Sequence, residues 1–278
     1  MDALWADQRV KENDNGCSRW LFLGALFKEA KMTNTQTPIE TISEAPSSAG
    51  GSKLIALLEI GLVLLPVLLS KFVGALDFVE ASSFRNFVGP GSIVVSVLLA
   101  TFLLRRRGIT WGDIGMRRPK SMMTTGAWTI VAVVAVFIVP GMVISYLNQI
   151  VDLPQIDTSR FASLSGNLPM LLTWLAIGWT AAAFGEEMLA RGFLLNRFAD
   201  VFGDKAIGFG LAAIFQAVVF GLAHIYQGWT GVLVTGLVGL IWGFVYVAGK
   251  RSLWPVIIAH GLVDTVGLTQ LYLMSGHM

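Results

Sequence analysis

Charge is scarce in this chain. Only 14% of its 278 residues are Asp, Glu, Lys or Arg, against 54% that are apolar, and that balance cannot cover a soluble globule of this size. Most of the surface must therefore face lipid or other helices. Cysteine is almost absent: a single residue, Cys17, excludes an internal disulfide and any cysteine-rich metal site. Strict alternation of polar and apolar residues is missing too. Stretches such as Val131-Ala-Val-Val-Ala-Val-Phe137 exclude a transmembrane barrel and favour helices. A net charge of only +2, with basic residues beside the ends of apolar runs, points to membrane orientation rather than a nucleic-acid partner. Neither His-Glu-x-x-His nor Gly-x-Ser-x-Gly occurs, which removes the soluble-type zinc motif and the serine nucleophile elbow.

What is present reads as an all-α, polytopic transmembrane helical bundle of about seven spans. The apolar runs place them at 54–75, 88–104, 122–147, 168–195, 208–226, 231–249 and 253–274, each close to the roughly 20 residues that cross about 30 Å of hydrocarbon. Residues 1–52 are polar, with a Pro/Ser/Gly stretch from Pro46 to Ser52, and read as a mobile cytoplasmic tail. Its apolar patch Trp20–Phe27 is too short to span and fits an interfacial helix. Met32 offers a second start. Residues 53–278 form the transmembrane domain. The clusters Arg105-Arg106-Arg107, Arg117-Arg118-Lys120 and Lys250-Arg251 are assigned to the cytoplasm, which puts the N-terminus inside and the C-terminus outside an inner, bacterial-type membrane.

An ionisable group in hydrocarbon costs roughly 2.5–3.5 kcal/mol even on a lenient scale, so each needs a reason. Three spans carry such groups. The fourth has Glu186-Glu-Met-Leu-Ala-Arg191, the fifth ends in Phe220-Gly-Leu-Ala-His224, and the seventh contains His260-Gly-Leu-Val-Asp264. Residues four apart share a helix face while neighbours diverge by about 100°. Glu187 and Arg191 therefore pair, leaving Glu186 without a local partner and available for chemistry. His260 and Asp264 share a face, so the carboxylate can choose which imidazole nitrogen is free; Phe220 packs beside His224. Counting from the turn near Gly203 puts Glu186 about 14 Å and His260 about 10 Å below the cytoplasmic surface, with His224 fitting that depth least well. Two chemistries suit the set. Glu186, His224 and His260 can hold Zn²⁺ and an activated water, or a buried Glu186 can act as general base on a water held by His224.

In order and in placement on separate apolar helices, these three motifs resemble those of the CAAX-protease and bacteriocin-processing family, which contains the type II CAAX prenyl endopeptidases. The similarity covers roughly residues 168–274, and Trp111-Gly-Asp-Ile-Gly-Met-Arg-Arg-Pro119 is similar to the family's entry segment. It implies an intramembrane glutamate- or metallo-endopeptidase cutting near the cytoplasmic face. Glu186 and His224 would activate water, and Glu187, His260 and Asp264 would complete the site. The substrate would be a peptide or protein with a membrane-associated segment, prenylated or not. Asp264 departs from the family's usual Asn.

Blander readings compete. The Glu/Arg group could be an ion-paired helix end, a lone histidine is usually a satisfied core residue, and Glu59 lies close enough to the interface to snorkel, a structural role. His277 sits at the terminus and carries no role. Two further classes keep the same residues: a non-catalytic binding or bacteriocin-immunity protein, and a proton-coupled transporter, for which an inverted repeat is missing. Gly236, Gly239 and Gly243 in the sixth span read as packing residues.

Overall fold

The computed structural model describes residues 53–80, 84–203 and 205–274. The expectations for the 1–52 tail, with Cys17 and the Trp20–Phe27 patch, and for His277 lie outside them. Seven helices are long and apolar enough to cross a membrane: α1 Lys53–Gly74, α2 Arg85–Arg106, α3 Met122–Leu147, α4 Leu168–Phe202, α5 Ala206–Ala223, α6 Gly228–Ala248 and α7 Trp254–Leu273. They fall where the apolar runs put them. The fourth extends further, because Leu195–Phe202 continues the helix with a polar face of Asn196, Arg197 and Asp200.

Local chemistry marks the ends. Ser121 caps α3 by accepting from the Thr124 N–H at 3.3 Å, and Asn167 caps α4 by accepting from Met170 at 3.1 Å, each satisfying a donor that the first turn leaves open. Pro255 occupies the first turn of α7, where its missing N–H costs nothing. Gly203, at φ 108°, stops α4 in a conformation that L side chains avoid. The outward faces of α1 and α3 remain apolar and exposed, as at Leu58, Leu68, Ile130 and Met142, which suits a lipid surround.

Two devices hold the bundle together. At the end bearing the basic clusters, Glu59 of α1 accepts from Arg107 at 2.9 Å and Arg197 at 3.2 Å, and Arg197 also pairs with Asp200. Glu59 is thus a structural cross-link. The entry segment docks beside it: Tyr246 donates to the Ile114 carbonyl at 2.9 Å, the Leu253 N–H to the Gly115 carbonyl at 3.1 Å, and Trp254 to the Arg117 carbonyl at 3.0 Å. Within that segment the Thr110 hydroxyl and N–H hold the Asp113 carboxyl below the ordinary carboxylate range. The second device is close approach of α5 and α6. A Cβ on Gly221 would stand 2.6 Å from the Val232 carbonyl oxygen, and one on Gly239 3.2 Å from the Ala217 Cα. Small residues let these backbones meet, and dispersion grows with that proximity.

Gly221→Ala must push α6 away, at a cost of roughly 1–3 kcal/mol. Gly267→Ala, with nothing within 4 Å of its added carbon, gains helix propensity of roughly 0.5–1 kcal/mol. Thermal melts of the detergent-solubilised variants should fall for the first and hold or rise for the second.

Candidate active site

The polar groups lie where α4, α5, α6 and α7 meet, and α4 is irregular there. Gly178–Glu186 and Met188–Leu194 are π-helical, an arrangement found mostly as single-turn bulges, often at functional sites. A run of Gly and Ala at 181, 182, 183 and 185 lets neighbours come close. A Cβ on Gly178 would lie 3.5 Å from Asp264 Oδ2, so α7 seats its carboxylate directly against the α4 backbone.

Glu187 is the centre of the buried network. Its Oε1 accepts from Arg191 Nη1 at 2.7 Å and lies 2.9 Å from His260 Nδ1. Arg191 is fully buried, as is Glu187. The guanidinium also donates to the Gly239 carbonyl at 3.0 Å, a group Gln216 reaches at 3.3 Å. Aromatic faces close the charge in: Arg191 sits 4.6 Å from the Phe220 centroid and 5.4 Å from that of Trp242, and Trp242 packs 4.7 Å from the His260 ring. Such an arrangement offsets desolvation with charge-assisted hydrogen bonds and cation–π contact.

The predicted Glu187–Arg191 pair is therefore present. The His260–Asp264 relation needs a correction. Asp264 Oδ2 stands 3.6 Å from His260 Nε2, an ion-pair distance rather than a hydrogen bond. The nitrogen is selected by Glu187, which takes Nδ1 from another helix, and Asp264 faces the opposite edge of the ring.

Glu186 behaves differently from its neighbour. Its Oε2 is buried without a hydrogen bond, as is that of Glu187, but among the described residues Glu186 has no counterpart of the two bonds that Glu187 Oε1 makes. It lies within electrostatic reach of His224, His260, Asp264, Tyr226 and Lys71. His224, at the C-terminal cap of α5, bonds through Nδ1 to the Phe220 carbonyl at 2.8 Å. Only a protonated Nδ1 can donate to a carbonyl, so in the neutral ring Nε2 carries the lone pair. Phe220 also packs on the His224 ring, centroids 4.9 Å apart, as its spacing predicts.

The site residues differ in depth. Gly185 packs against Ile93 of α2, which lies roughly 20 Å along that helix from the basic Arg106 end. His224 ends α5, and Lys71, in the last turn of α1, donates to the neighbouring Ala223 carbonyl at 2.9 Å. Both features belong to the end of the bundle opposite the arginine clusters. Glu186 and His224 thus lie nearer the end opposite Arg105–Arg107, whereas His260, seven residues past Leu253, whose N–H bonds to the Gly115 carbonyl, lies about 10 Å from the basic end. His224 fits the counted depth least well, as expected, because it lies beyond the last turn of α5, and the π-helical course of α4 alters the count for Glu186.

The three proposed metal donors do not form a ligand set. Among the described residues no group of three or more His, Cys, Asp or Glu could hold a metal ion. The reason lies in the donors: His260 offers Nδ1 to Glu187 and faces Asp264 with Nε2, leaving His224 and Glu186 as the open pair.

Several site residues carry no motif signal. Gln216 could have been noticed as a lone amide one turn before Phe220, and Lys71 as a cation in an apolar span. Arg160, Tyr226 and Trp242 become neighbours of the site only through the fold.

With the geometry in view, the chain was compared with known proteins. Residues 168–266 match the family model of the Rce1-like type II CAAX prenyl endopeptidases. The resemblance carried by the three motifs is thus shown over that segment. It includes every motif residue from Glu186 to Asp264 and lies C-terminal to α1, α2 and α3. No curated protein and no solved structure matches the chain. The family is one of membrane proteases, in keeping with the seven apolar helices.

Two outcomes follow from this geometry. Glu187→Gln weakens contacts to two buried partners and should cost about 3–5 kcal/mol, so its folded yield and thermal midpoint should fall well below those of Glu186→Gln. Equal midpoints would refute the division of labour. Dialysis against a chelator should leave the melting of the wild type unchanged; a drop restored by Zn²⁺ would show a metal site that these side chains do not prepare.

Proposed function

We propose that this protein is an intramembrane endopeptidase in which Glu186 and His224 activate a water molecule for peptide hydrolysis without a metal. The observation that carries this reading is the contrast between adjacent glutamates: both keep a buried Oε2 without a donor, but Glu187 spends its Oε1 on Arg191 and His260, whereas among the described residues Glu186 forms no hydrogen bond or ion pair. An acid without such structural partners is left for chemistry.

In the proposed reaction the water bridges Glu186 and His224 Nε2. Glu186 takes one proton as the water oxygen adds to the scissile carbonyl carbon, while His224 orients the molecule through its other hydrogen. A proton on the His260–Asp264 edge stabilises the developing oxyanion. The tetrahedral adduct then expels the amine, which receives the proton held by Glu186, giving a carboxylic acid and an amine. Glu187 and Arg191 position His260. Asp264, in place of the family's usual Asn, adds an acidic group to the oxyanion side.

The peptide is taken to enter at the end of the bundle where α5 and α7 finish. With the basic clusters assigned to the cytoplasm, that end faces away from it, and substrates are peptides or membrane-associated segments presented there.

The test is hydrolysis of a quenched fluorescent peptide library by the purified protein. Glu186→Gln should lower kcat by about 10²–10⁴-fold, the usual yield of general acid–base catalysis, with its thermal midpoint retained. A Glu186→Gln protein as active as the wild type would remove the proposed base.

A further inference from the structure

Lys71 and Arg160 come from elements far apart in sequence, and neither belongs to the segment that matches the protease family. Both converge on Tyr226, two residues past His224. The Lys71 ammonium lies 5.1 Å from the Tyr226 centroid and the Arg160 guanidinium 5.0 Å. The Tyr226 ring in turn packs 5.9 Å from that of His224. Arg160 sits in the turn Ser159–Leu164 before α4, fixed by the Trp174 ring at 5.6 Å and by the glycine surface of α2, where a Cβ on Gly89 would meet its Nη2 at 3.2 Å.

Glu186 lies within electrostatic reach of Lys71 but does not pair with it. Among the described residues neither cation forms an ion pair with a carboxylate; Lys71 spends one hydrogen on the Ala223 carbonyl, and Arg160 is held through ring faces. Snorkelling alone would aim Lys71 out towards headgroups, but it turns inward to α5 and to the ring beside His224. Two like charges within electrostatic reach of each other oppose one another in a low-dielectric setting. A group carrying negative charge between them relieves that repulsion and gains charge-assisted hydrogen bonds.

We propose that Lys71 and Arg160, with Tyr226 between them, form an anion subsite that takes a carboxylate of the peptide substrate beside the hydrolytic pair. This rests on the endopeptidase reading and deepens it. A peptide supplies a carboxylate from two sources, its C-terminus or an Asp or Glu side chain. Bound in the subsite, the carboxylate anchors one end of the substrate against Tyr226 and fixes which peptide bond reaches Glu186. The two cations are specificity-determining residues, and they act on binding rather than on the chemical step.

The experiment measures binding and turnover separately. Fluorescein-labelled hexapeptides of Leu and Ala are titrated into detergent-solubilised Glu186→Gln protein by anisotropy, as the free acid, as the C-terminal amide, and as an amide with one internal Asp. The free acid or the Asp peptide should bind about tenfold more tightly than the neutral amide, the scale of a hydrogen bond to a charged group. Lys71→Met and Arg160→Gln, introduced singly into that background, should each remove most of the advantage while leaving neutral-amide binding and the thermal midpoint in place. Which acidic peptide wins identifies the source of the carboxylate. Equal affinity for all three peptides, no detectable binding, or an advantage that survives both substitutions would overturn the proposal. On the otherwise unmodified protein, the same two substitutions should raise KM for the preferred peptide and spare kcat. Discrimination in binding with no cleavage by the wild type would keep the subsite and sink the hydrolase.

Discussion

A single buried oxygen organises the centre of this protein. Glu187 Oε1 receives Arg191 from its own helix and His260 from α7, and Arg191 continues to the Gly239 carbonyl of α6. Three spans are thereby joined by charge-assisted bonds in a region where water offers no alternative partner. The helix contacts follow from that demand. Gly239 has no side chain, which allows α5 to approach and leaves its carbonyl for Arg191 and Gln216. Phe220 and Trp242 cover the guanidinium with their ring faces.

Glu186 stands outside that network. Adjacent residues on a helix point in different directions, so one glutamate can be held by structure while the next points elsewhere. In the proposed mechanism, a structural acid beside the reactive one couples the rigidity of the site to its chemistry. The positions of His260 and of the α4 backbone are both set by Glu187, so the geometry around Glu186 inherits the stiffness of that network. The π-helical course of α4 contributes by altering the register of the segment that carries both acids.

The two ends of the bundle differ in what their charges do. At one, Glu59, Arg107, Arg197 and Asp200 neutralise each other and fix connections. At the other, Lys71 and Arg160 lie around Tyr226, and among the described residues neither forms an ion pair with a carboxylate. The proposed subsite uses that difference in whether the protein supplies the counter-ion.

Much was legible in the sequence by itself: the membrane class, all seven spans, the packing role of Gly236, Gly239 and Gly243, and the Glu187–Arg191 pair. Each depends on composition or on spacing within one helix, where 3.6 residues per turn relate number to direction. What only the tertiary structure decided involves two or more helices. Glu187 rather than Asp264 holds His260 Nδ1, the metal candidates do not assemble among the described residues, and Lys71, Arg160 and Tyr226 gather beside His224. Those relations depend on the depth, tilt and irregularity of separate helices, and the spacing of residues along one strand of sequence carries no measure of them.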